Sequence, residues 1–519
     1  MENLKFGIEA VHEAGGVVEA TICYTGDVSD PTKTKYNLDY YIKLTEQLVE
    51  CDIHFLAIKD MAGLLKPKAA TMLVTALRER FPDLPIHVHT HDTAGVGVAT
   101  MLACAEAGAD IVDGAIDAMS GLTSQPSLGA LLVSTQGTEL DTGLSLAEVL
   151  PLNTYWEQTR GLYRPFECSL RSGTTDVYTH EMPGGQYTNL KFQSQSLGLE
   201  EQWEDVKLSY AMANRVLGDI VKVTPSSKVV GDLAQFMVAN DLDEAKLVAQ
   251  ASTLSFPTSV VEFFQGYIGQ PYGGFPAIQK DVVKDLPVVT GRPGEELAPL
   301  DFKTMKQDLM EKFNSGASIT DVLSSAMYPK VYDEYRIFRR KYSDLSVLPT
   351  VHFLRPMNTD EELEVEIEQG KSLFVTYKAI GELKPDGMRE VFFELNGIPR
   401  TVEVFDEQEV EKAKLAGGGR TVNERADPLT LGSVGAPMAG KVVEVKIQAG
   451  MRVKAGEPLC IMSAMKMETT VSAPVSGLVQ HVTVVANDEM KAGDLLVLID
   501  EKAVEEGALP AALVKETVA

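Results

Sequence analysis

The carboxyl-terminal part of the chain repeats itself at a fixed offset. Two runs return 37 residues later, Ala436-Pro-Met-Ala-Gly440 as Ala473-Pro-Val-Ser-Gly477 and Lys454-Ala-Gly456 as Lys491-Ala-Gly493. Such a repeat in a β-rich segment predicts two similar half-domains that face each other. Lys466, within Ala464-Met-Lys-Met467, lies near their junction. A lysine at such a hairpin is suited to covalent attachment of a carrier group, whereas the alternative is an ordinary surface lysine on a small sandwich.

Composition and charge exclude several classes of protein. A chain of 519 residues is long enough for about three or four domains and a large core. The net charge of −27 leaves no surplus of lysine and arginine to neutralise phosphates, so no nucleic-acid partner is expected. No apolar run approaches the roughly 18 residues of a membrane span, so no membrane is expected either. The five cysteines have no CxxC spacing, which indicates reduced thiols in a cytosol-like compartment.

Up to about residue 138, short apolar runs alternate with helical patterns. This alternation predicts βαβ units, a parallel sheet and an α/β fold. Polar, glycine-bearing segments follow the strands, as at the carboxyl ends of strands in a (β/α)8 barrel or an open sheet. Four strands do not close a barrel. The predicted strands are Val17–Cys23, His54–Ile58, Ile86–Thr90 and Ile111–Ala115, and the predicted helices span about 4–14, 38–50, 66–80, 95–107 and 126–137.

Side chains suited to metal binding follow two of these strands. In His87-Val-His-Thr-His91 the imidazoles alternate with other residues, so a period of two puts all three on one face. That face would point into a barrel, and imidazole is a common metal ligand. Lys59 follows the apolar run Phe55–Ile58 on the preceding strand. Two interpretations stay open: a metal site, or hydrogen-bonded core histidines beside a lysine in a structural ion pair.

Five further motifs occur along the chain: Ile58-Lys-Asp-Met-Ala-Gly-Leu-Leu-Lys-Pro67, His89-Thr-His-Asp-Thr-Ala-Gly95, Ser120-Gly-Leu-Thr-Ser-Gln-Pro126, Pro183-Gly-Gly-Gln-Tyr-Thr-Asn189 and Val223-Thr-Pro-Ser-Ser-Lys228. They resemble the carboxyltransferase domain of the pyruvate carboxylase family. The motif around Lys466 resembles that family's biotinyl domain, and the similarity runs in the same order over almost the whole chain. The resemblance implies the second half of a (β/α)8 TIM-type barrel, a helical extension, a small β-rich module and a β-sandwich biotinyl domain.

The resemblance implies a divalent metal ion, Mn, Zn or Mg, at the mouth of the barrel. Lys59 would be a carbamylated ligand, and His89 and His91 would be the histidine ligands. A free ammonium cannot bind a cation, but a carbamate adds two oxygens and a negative charge. The metal would then act as a Lewis acid on the carbonyl of pyruvate. His87 would lie one layer deeper as a packing residue.

The same resemblance assigns roles in handling biotin. Lys466 would carry covalent biotin, Ser227 and Lys228 would contact it, and Thr224 would relay a proton between pyruvate and biotin. A hydroxyl suits a relay because one oxygen both donates and accepts. By pattern alone, Thr224 is an N-cap with a proline at the first helical position, and both interpretations can hold together.

The domain boundaries follow changes in pattern. Alternating apolar residues after about 346 and an Asn-Gly turn signal at Asn396 predict a β-rich module, similar to the family's allosteric and tetramerisation region. A Gly-rich run at 416–419 predicts a flexible tether. The predicted domains are a partial barrel at 1–140, a helical extension at 141–345, the β-rich module at 346–415, a linker at 416–430, the biotinyl domain at 431–501 and a tail at 502–519.

The resemblance implies carboxyl transfer from biotin to pyruvate, giving oxaloacetate, with Lys466 loaded by a biotin protein ligase. The family's first four strands and its biotin carboxylase domain have no counterpart in this sequence, so a missing amino-terminal half is expected as partner and the chain alone is expected to be inactive. A homotetramer, and the mitochondrial matrix or cytoplasm, are also expected. Two alternatives are a non-catalytic biotin carrier and assembly fragment, and an oxaloacetate decarboxylase α-type subunit with a membrane partner and sodium dependence.

Overall fold

The computed structural model describes residues 1–168, 170–385, 387–406, 409, 425–427, 430, 432–464 and 467–500. The chain forms two compact units, in which unit 1 contains Met1–Arg160, Glu167–Glu295 and Val422–Ala519, and unit 2 contains Gly161–Phe166 and Glu296–Thr421. Lys466, most of the predicted linker and the predicted tail lie outside the described residues. No helix in the described ranges is long and apolar enough to cross a membrane.

Unit 1 begins with a four-stranded parallel sheet whose strands lie in chain order. Strands and helices lie close to their predicted bounds, except that β4 ends at Val112 instead of Ala115. The backbone of Ala115 pairs with Pro126 and Leu128 instead, so the chain leaves the sheet early. The elements are α1 (Glu2–Glu13), β1 (Glu19–Tyr24), α2 (Leu38–Val49), β2 (Phe55–Asp60), α3 (Pro67–Arg80), β3 (Ile86–Thr90), α4 (Gly97–Glu106), β4 (Ile111–Val112) and α5 (Leu128–Thr135).

The two faces of this sheet differ in chemistry. Along β3, Ile86 and Val88 are fully buried and alternate with His87 and His89, which are half-buried. The buried side chains join one apolar core with residues of α3 and α4, and this burial stabilises the sheet on its helical side. The opposite face carries the polar side chains, and it is the face that would point inward in a closed barrel.

The rest of this part of unit 1 is helical. A second apolar core lies between α8 and α13 and includes the fully buried Tyr210, Leu233 and Phe264. The helices are α6 (Leu146–Arg160), α7 (Val177–His180), α8 (Gly184–Ser196), α9 (Trp203–Val216), α10 (Ser226–Ala239), α11 (Glu244–Gln250), α12 (Thr258–Phe264), α13 (Gln279–Val283) and α14 (Pro293–Glu296).

The predicted N-cap at Thr224 was wrong. Helix α10 begins at Ser226, and Pro225 occupies the cap position without a capping side chain. The hydroxyl of Ser226 instead lies 2.6 Å from the carbonyl oxygens of both Val221 and Val223, which share its single proton. These bonds close a compact loop, and Thr224 is an exposed residue of that loop.

The carboxyl-terminal segment of unit 1 is a sandwich of two four-stranded sheets, ordered β13-β12-β10-β15 and β11-β14-β16-β9. Strands β10, β11 and β12 have counterparts β14, β15 and β16 that begin 37 residues later, each in the opposite sheet. The predicted pair of facing half-domains is therefore confirmed. The strands are β9 (Ser433–Gly435), β10 (Gly440–Val445), β11 (Arg452–Val453), β12 (Pro458–Ala464), β13 (Met467–Ser472), β14 (Gly477–Val482), β15 (Glu489–Met490) and β16 (Leu495–Asp500).

The described part of unit 2 contains several helices and an antiparallel four-stranded meander that follows them. Asn396 and Gly397 both have positive φ, 50° and 74°, and form the two-residue turn between β7 and β8 that the sequence predicted. The elements are α15 (Phe302–Phe313), α16 (Ile319–Met327), α17 (Pro329–Tyr342), α18 (Thr350–Leu354), β5 (Glu362–Glu368), β6 (Lys371–Ile380), β7 (Met388–Leu395) and β8 (Ile398–Phe405).

Candidate functional site

Lys59 and His89 lie side by side on neighbouring strands, near the carboxyl ends of β2 and β3. Their backbones are register partners in the β2–β3 pair. His91 follows β3 directly, and the centroid of its ring lies 5.5 Å from that of His89, edge to face at 84°. The structure therefore brings together the three residues that were predicted as metal ligands.

One nitrogen of each of these histidines has a fixed hydrogen-bond partner. His89 Nδ1 lies 2.6 Å from Asp113 Oδ2, and His91 Nδ1 lies 2.6 Å from the carbonyl oxygen of Thr123. Because both partners are acceptors, each Nδ1 donates its proton and each Nε2 keeps its lone pair. Burial lowers the pKa of His91, which favours the neutral ring. Both histidines are thus prepared to bind a cation through Nε2.

Asp113, which sequence reasoning missed, connects His89 with His87. Its Oδ1 lies 2.8 Å from His87 Nε2, and the bond from His89 lowers the pKa of Asp113. His87 Nδ1 lies 2.6 Å from Glu19 Oε1. His87 is therefore a polar bridge between two carboxylates, and the prediction that it is a packing residue was wrong. Asp113 directly follows the apolar pair Ile111-Val112, which could have marked it as a residue at the end of a strand. Because the strand was predicted to continue to Ala115, Asp113 was not recognised.

The loop that follows Lys59 is fixed by a fully buried carboxylate. Asp60 accepts hydrogen bonds from the backbone N–H groups of residues 63–65, at 2.8 to 3.0 Å, and from the hydroxyl of Thr90 at 2.7 Å. Burial raises the pKa of Asp60, although these bonds act in the opposite direction. Four donors around one carboxylate hold the ends of β2 and β3 in fixed relative positions.

The amino-terminal end of α8 packs closely against His91. The N–H of Gly184 donates to the carbonyl oxygen of Met61 at 2.9 Å. A Cβ atom at Gly184 would lie 2.7 Å from His91 Nδ1 and 2.8 Å from the carbonyl oxygen of Thr123. Glycine is required here because any side chain would enter the space of the hydrogen bond that orients His91.

Replacing Gly184 with alanine is expected to displace His91. We expect the free energy of unfolding to fall by about 1–3 kcal/mol, because the clash involves a backbone carbonyl as well as a side chain. Urea unfolding measures this change. Gly185→Ala is the matched control, since a Cβ there meets nothing within 4 Å. Equal stability of the two variants would contradict the steric argument.

Thr224, Ser227 and Lys228 form a second group, at the start of α10. Thr224 is exposed, Ser227 is buried, and Lys228 forms an ion pair with the buried Asp232 one turn later. The nearby Lys222 donates to the hydroxyl of Thr25 at 3.2 Å, directly after β1. The carboxyl ends of parallel strands share one edge of a sheet, so both groups belong to the same edge.

The carboxyl-terminal sandwich contacts the helices of unit 1. Thr469 on β13 forms an antiparallel backbone bridge with Pro257, which precedes α12, and Thr469 is fully buried. Asn240 Nδ2 donates to the carbonyl oxygen of Pro437 at 3.0 Å. Leu197 packs against the apolar core of the sandwich. The strand that follows Lys466 in sequence therefore lies against the beginning of α12.

Known proteins match the chain along most of its length. The family profiles are HMGL-like at residues 8–154, Conserved carboxylase domain at 177–376 and Biotin-requiring enzyme at 432–499. The carboxyl transferase domain from Rhizobium etli pyruvate carboxylase, solved with pyruvate and biocytin, is 46% identical with a TM-score of 0.75, and the match covers 78% of this chain and 68% of that one. The chain belongs to the pyruvate carboxylase family.

Relatives in this family are longer than the chain. The mitochondrial pyruvate carboxylase of Rattus norvegicus is 53% identical over 475 residues, which are 91% of this chain and 40% of that protein. Pyruvate carboxylase 1 of Caenorhabditis elegans is also 53% identical, over 474 residues and 40% of its length. The chain therefore spans about 40% of these relatives. In this family its parallel sheet corresponds to the second half of a (β/α)8 TIM-type barrel, and its sandwich to the biotinyl domain.

The first group of residues fits part of a divalent metal site. His89 and His91 present imidazole lone pairs, whereas an ammonium at Lys59 has none to offer. Within the described ranges, no cluster of three or more His, Cys, Asp or Glu side chains is arranged to hold a metal ion. A carbamate on Lys59 would add an oxygen ligand beside the two imidazoles. Since protein zinc sites usually have four ligands, this part of the sheet supplies an incomplete set.

Replacing Asp113 with asparagine is expected to weaken metal binding. The amide keeps the shape of the side chain but loses the charge that orients His89, so we expect metal affinity to fall about 10–100-fold. A metal titration of the chain together with the amino-terminal part of a relative, followed by calorimetry, measures the change. Asp110→Asn is the control, because Asp110 pairs with Arg78 and the backbone of Ile86 instead of a histidine. Unchanged affinity in Asp113→Asn would exclude this role.

Proposed function

We propose that the chain performs the carboxyl-transfer step of pyruvate carboxylase. A carboxyl group would pass from biotin on Lys466 to the methyl carbon of pyruvate and give oxaloacetate. Lys59 as a carbamate, His89 and His91 would hold a divalent metal, Mn, Zn or Mg, and Ser227 and Lys228 would contact biotin. We also propose the domain ranges that were predicted from the sequence. The 53% identity to pyruvate carboxylases over 91% of the chain supports this proposal.

The observation that carries the proposal is the contact between the sandwich and the helices of unit 1. Thr469 lies three residues after Lys466 and bridges Pro257. Two residues further along α12, Ser259 donates to Asp232 at 2.6 Å, and Asp232 pairs with Lys228. A short series of contacts thus links β13, the strand that follows Lys466 in sequence, to the start of α10. This arrangement suits delivery of a tethered group to Thr224, because tethering raises its local concentration.

The chain's own residues would direct the substrate and move one proton. The metal, when bound, would supply Lewis-acid polarisation of the pyruvate carbonyl. Thr224 Oγ would accept a proton from the pyruvate methyl group and donate its own proton to the ring nitrogen of biotin that loses the carboxyl group. The products would then be oxaloacetate and biotin. The exposed position of Thr224, in a loop closed by Ser226, leaves its hydroxyl accessible to both reactants.

We propose three partners for this chain. Biotin protein ligase would load Lys466, and an amino-terminal part would supply the remaining barrel strands and a biotin carboxylase domain. A homotetramer is proposed for the full assembly. The pyruvate carboxylases of rat, mouse and human are described as mitochondrial, which supports the mitochondrial matrix, with the cytoplasm as alternative.

Complementation tests the proposed function. The purified chain, biotinylated on Lys466, is assayed for metal content and for metal-dependent oxaloacetate decarboxylation, alone and with the amino-terminal part of a relative. We expect no turnover alone and turnover in the mixture, because the open sheet lacks half of the barrel. Robust turnover by the chain alone would show that it assembles the site without that part. No turnover in the mixture would overturn the proposal.

A non-catalytic carrier and assembly role is the second candidate. The open edges of the sheet and the half-exposed polar face around His87 favour it for the chain in isolation. Biotin incorporation without oxaloacetate chemistry in the mixture would support it. The third alternative, an oxaloacetate decarboxylase subunit, predicts sodium dependence of the decarboxylation.

A further inference from the structure

Lys222 is a buried charged residue two positions before Thr224. Its residue exposure is 1%, and it is among the largest fully buried side chains of the described residues. Its Nζ lies 3.0 Å from Glu181 Oε2 and 3.2 Å from the hydroxyl of Thr25. A buried ammonium is unfavourable unless it is paired and hydrogen-bonded. The Lys222–Glu181 pair is therefore a specific interaction that fixes this loop.

Glu181 is itself held in a constrained conformation. It has a φ of 54° in the left-handed region and ends α7. That conformation is uncommon for residues other than glycine and is found where surrounding contacts require it. Lys33 approaches the other carboxylate oxygen at 3.4 Å. Although burial acts to raise the pKa of Glu181, Lys222 lowers it overall, so the carboxylate stays charged.

The segment before Thr224 is also fixed on its other side. Lys35 Nζ donates to the carbonyl oxygen of Asp219 at 2.9 Å, and the hydroxyl of Tyr36 donates to the same oxygen at 2.8 Å. Ser226 closes the loop after Thr224. The residues before Thr224 are thus bonded to the end of β1 and to the region that follows it, and Ser226 after Thr224 is bonded back to those residues. Among the described residues, no side-chain hydrogen bond is seen for Thr224 itself.

We propose that the Lys222–Glu181 pair is a positioning device for the hydroxyl of Thr224 at the mouth of the barrel. The inference rests on the proposed function, in which Thr224 moves the proton. Lys222 acts through the loop backbone and contacts neither reactant. Proton transfer needs the hydroxyl within hydrogen-bond distance of both reactants, and a displacement of about 1 Å reduces rates roughly 100-fold. The alternative is that the pair contributes only to folding.

The test uses the biotinylated chain together with the amino-terminal part and measures oxaloacetate decarboxylation. In Lys222→Met we expect kcat to fall about 100-fold, while KM for oxaloacetate changes less than about twofold. The double variant Lys222→Met with Thr224→Ala is expected to be no slower than Thr224→Ala alone. Residues that act through one group give non-additive losses, whereas independent structural effects multiply.

Two further variants separate positioning from stability. Lys222→Met with Glu181→Gln removes both charges, so no unpaired buried carboxylate remains, and it is expected to keep the loss of kcat with a Tm closer to wild type. Lys207→Met removes another nearly buried lysine, paired with Asp176, and should lower Tm without changing kcat. A wild-type kcat in the double variant Lys222→Met with Glu181→Gln would overturn the inference. So would a kcat loss in Lys222→Met with Thr224→Ala that equals the product of the two single-variant losses. A wild-type mixture without turnover would overturn the proposed function, and this inference with it.

Discussion

Replacing Lys466 with arginine is expected to abolish biotin attachment and all carboxyl transfer that depends on tethered biotin. Attachment needs a nucleophilic amine, and the guanidinium of arginine keeps the charge but is not deprotonated in proteins. Intact mass measurement after incubation with biotin protein ligase and ATP reports attachment. Oxaloacetate decarboxylation in the complemented mixture reports transfer.

The control for this variant is Lys454→Arg. Lys454 lies in the same sandwich and belongs to the repeat, but it is exposed in the turn that follows β11. The Lys454→Arg variant should be biotinylated on Lys466 and should be as active as the wild type. Biotin found on the Lys466→Arg variant would contradict the assignment of the carrier lysine. Turnover restored by free biotin in that variant would show that the rest of the site is intact.

Replacing Lys59 with alanine is expected to remove the metal and to lower decarboxylation about 1,000-fold. The carbamate would supply an oxygen ligand, and Lewis-acid catalysis contributes several kcal/mol to lowering the barrier. Elemental analysis of the purified complemented mixture measures the metal, and steady-state kinetics of the same mixture measures the rate. The register of Lys59 beside His89 is the structural basis for this expectation.

Added short-chain carboxylic acids provide a sharper test of the carbamate. A small carboxylate can enter the space left by the lysine side chain and offer its oxygens to the metal, so partial recovery of metal content and rate is expected in Lys59→Ala. Lys43→Met, which removes a surface ion pair with Asp39, should leave both unchanged. Full metal occupancy in Lys59→Ala without any added acid would exclude Lys59 as a ligand.

The sequence predicted the elements whose signals are local. The short apolar runs predicted β3 with its observed bounds, and the 37-residue repeat predicted two half-domains that face each other. The Asn-Gly pair at Asn396 predicted the turn between β7 and β8. Each of these signals depends on residues that are close in sequence, so no tertiary contact was needed to interpret them.

The sequence also predicted the candidate metal ligands, but it did not predict the groups that orient them. Lys59, His89 and His91 were assigned from strand position and family resemblance. Their orientation depends on Asp113, on the carbonyl oxygen of Thr123, which is 32 residues from His91, and on the missing side chain of Gly184. A backbone carbonyl has no signature in an amino-acid sequence.

The start of α10 illustrates the same limit. Thr224 and the following proline have the composition of an N-cap and first helical turn, yet the helix begins at Ser226. The hydroxyl of Ser226 and the buried Lys222 bind this segment to itself and to Glu181, which is 41 residues away in sequence. The sequence by itself determined the strands, the repeat and the family, because periodicity and motifs are local. Only the tertiary structure decided which nitrogen, carbonyl and carboxylate meet at the edge of the sheet, because those contacts depend on how distant segments pack.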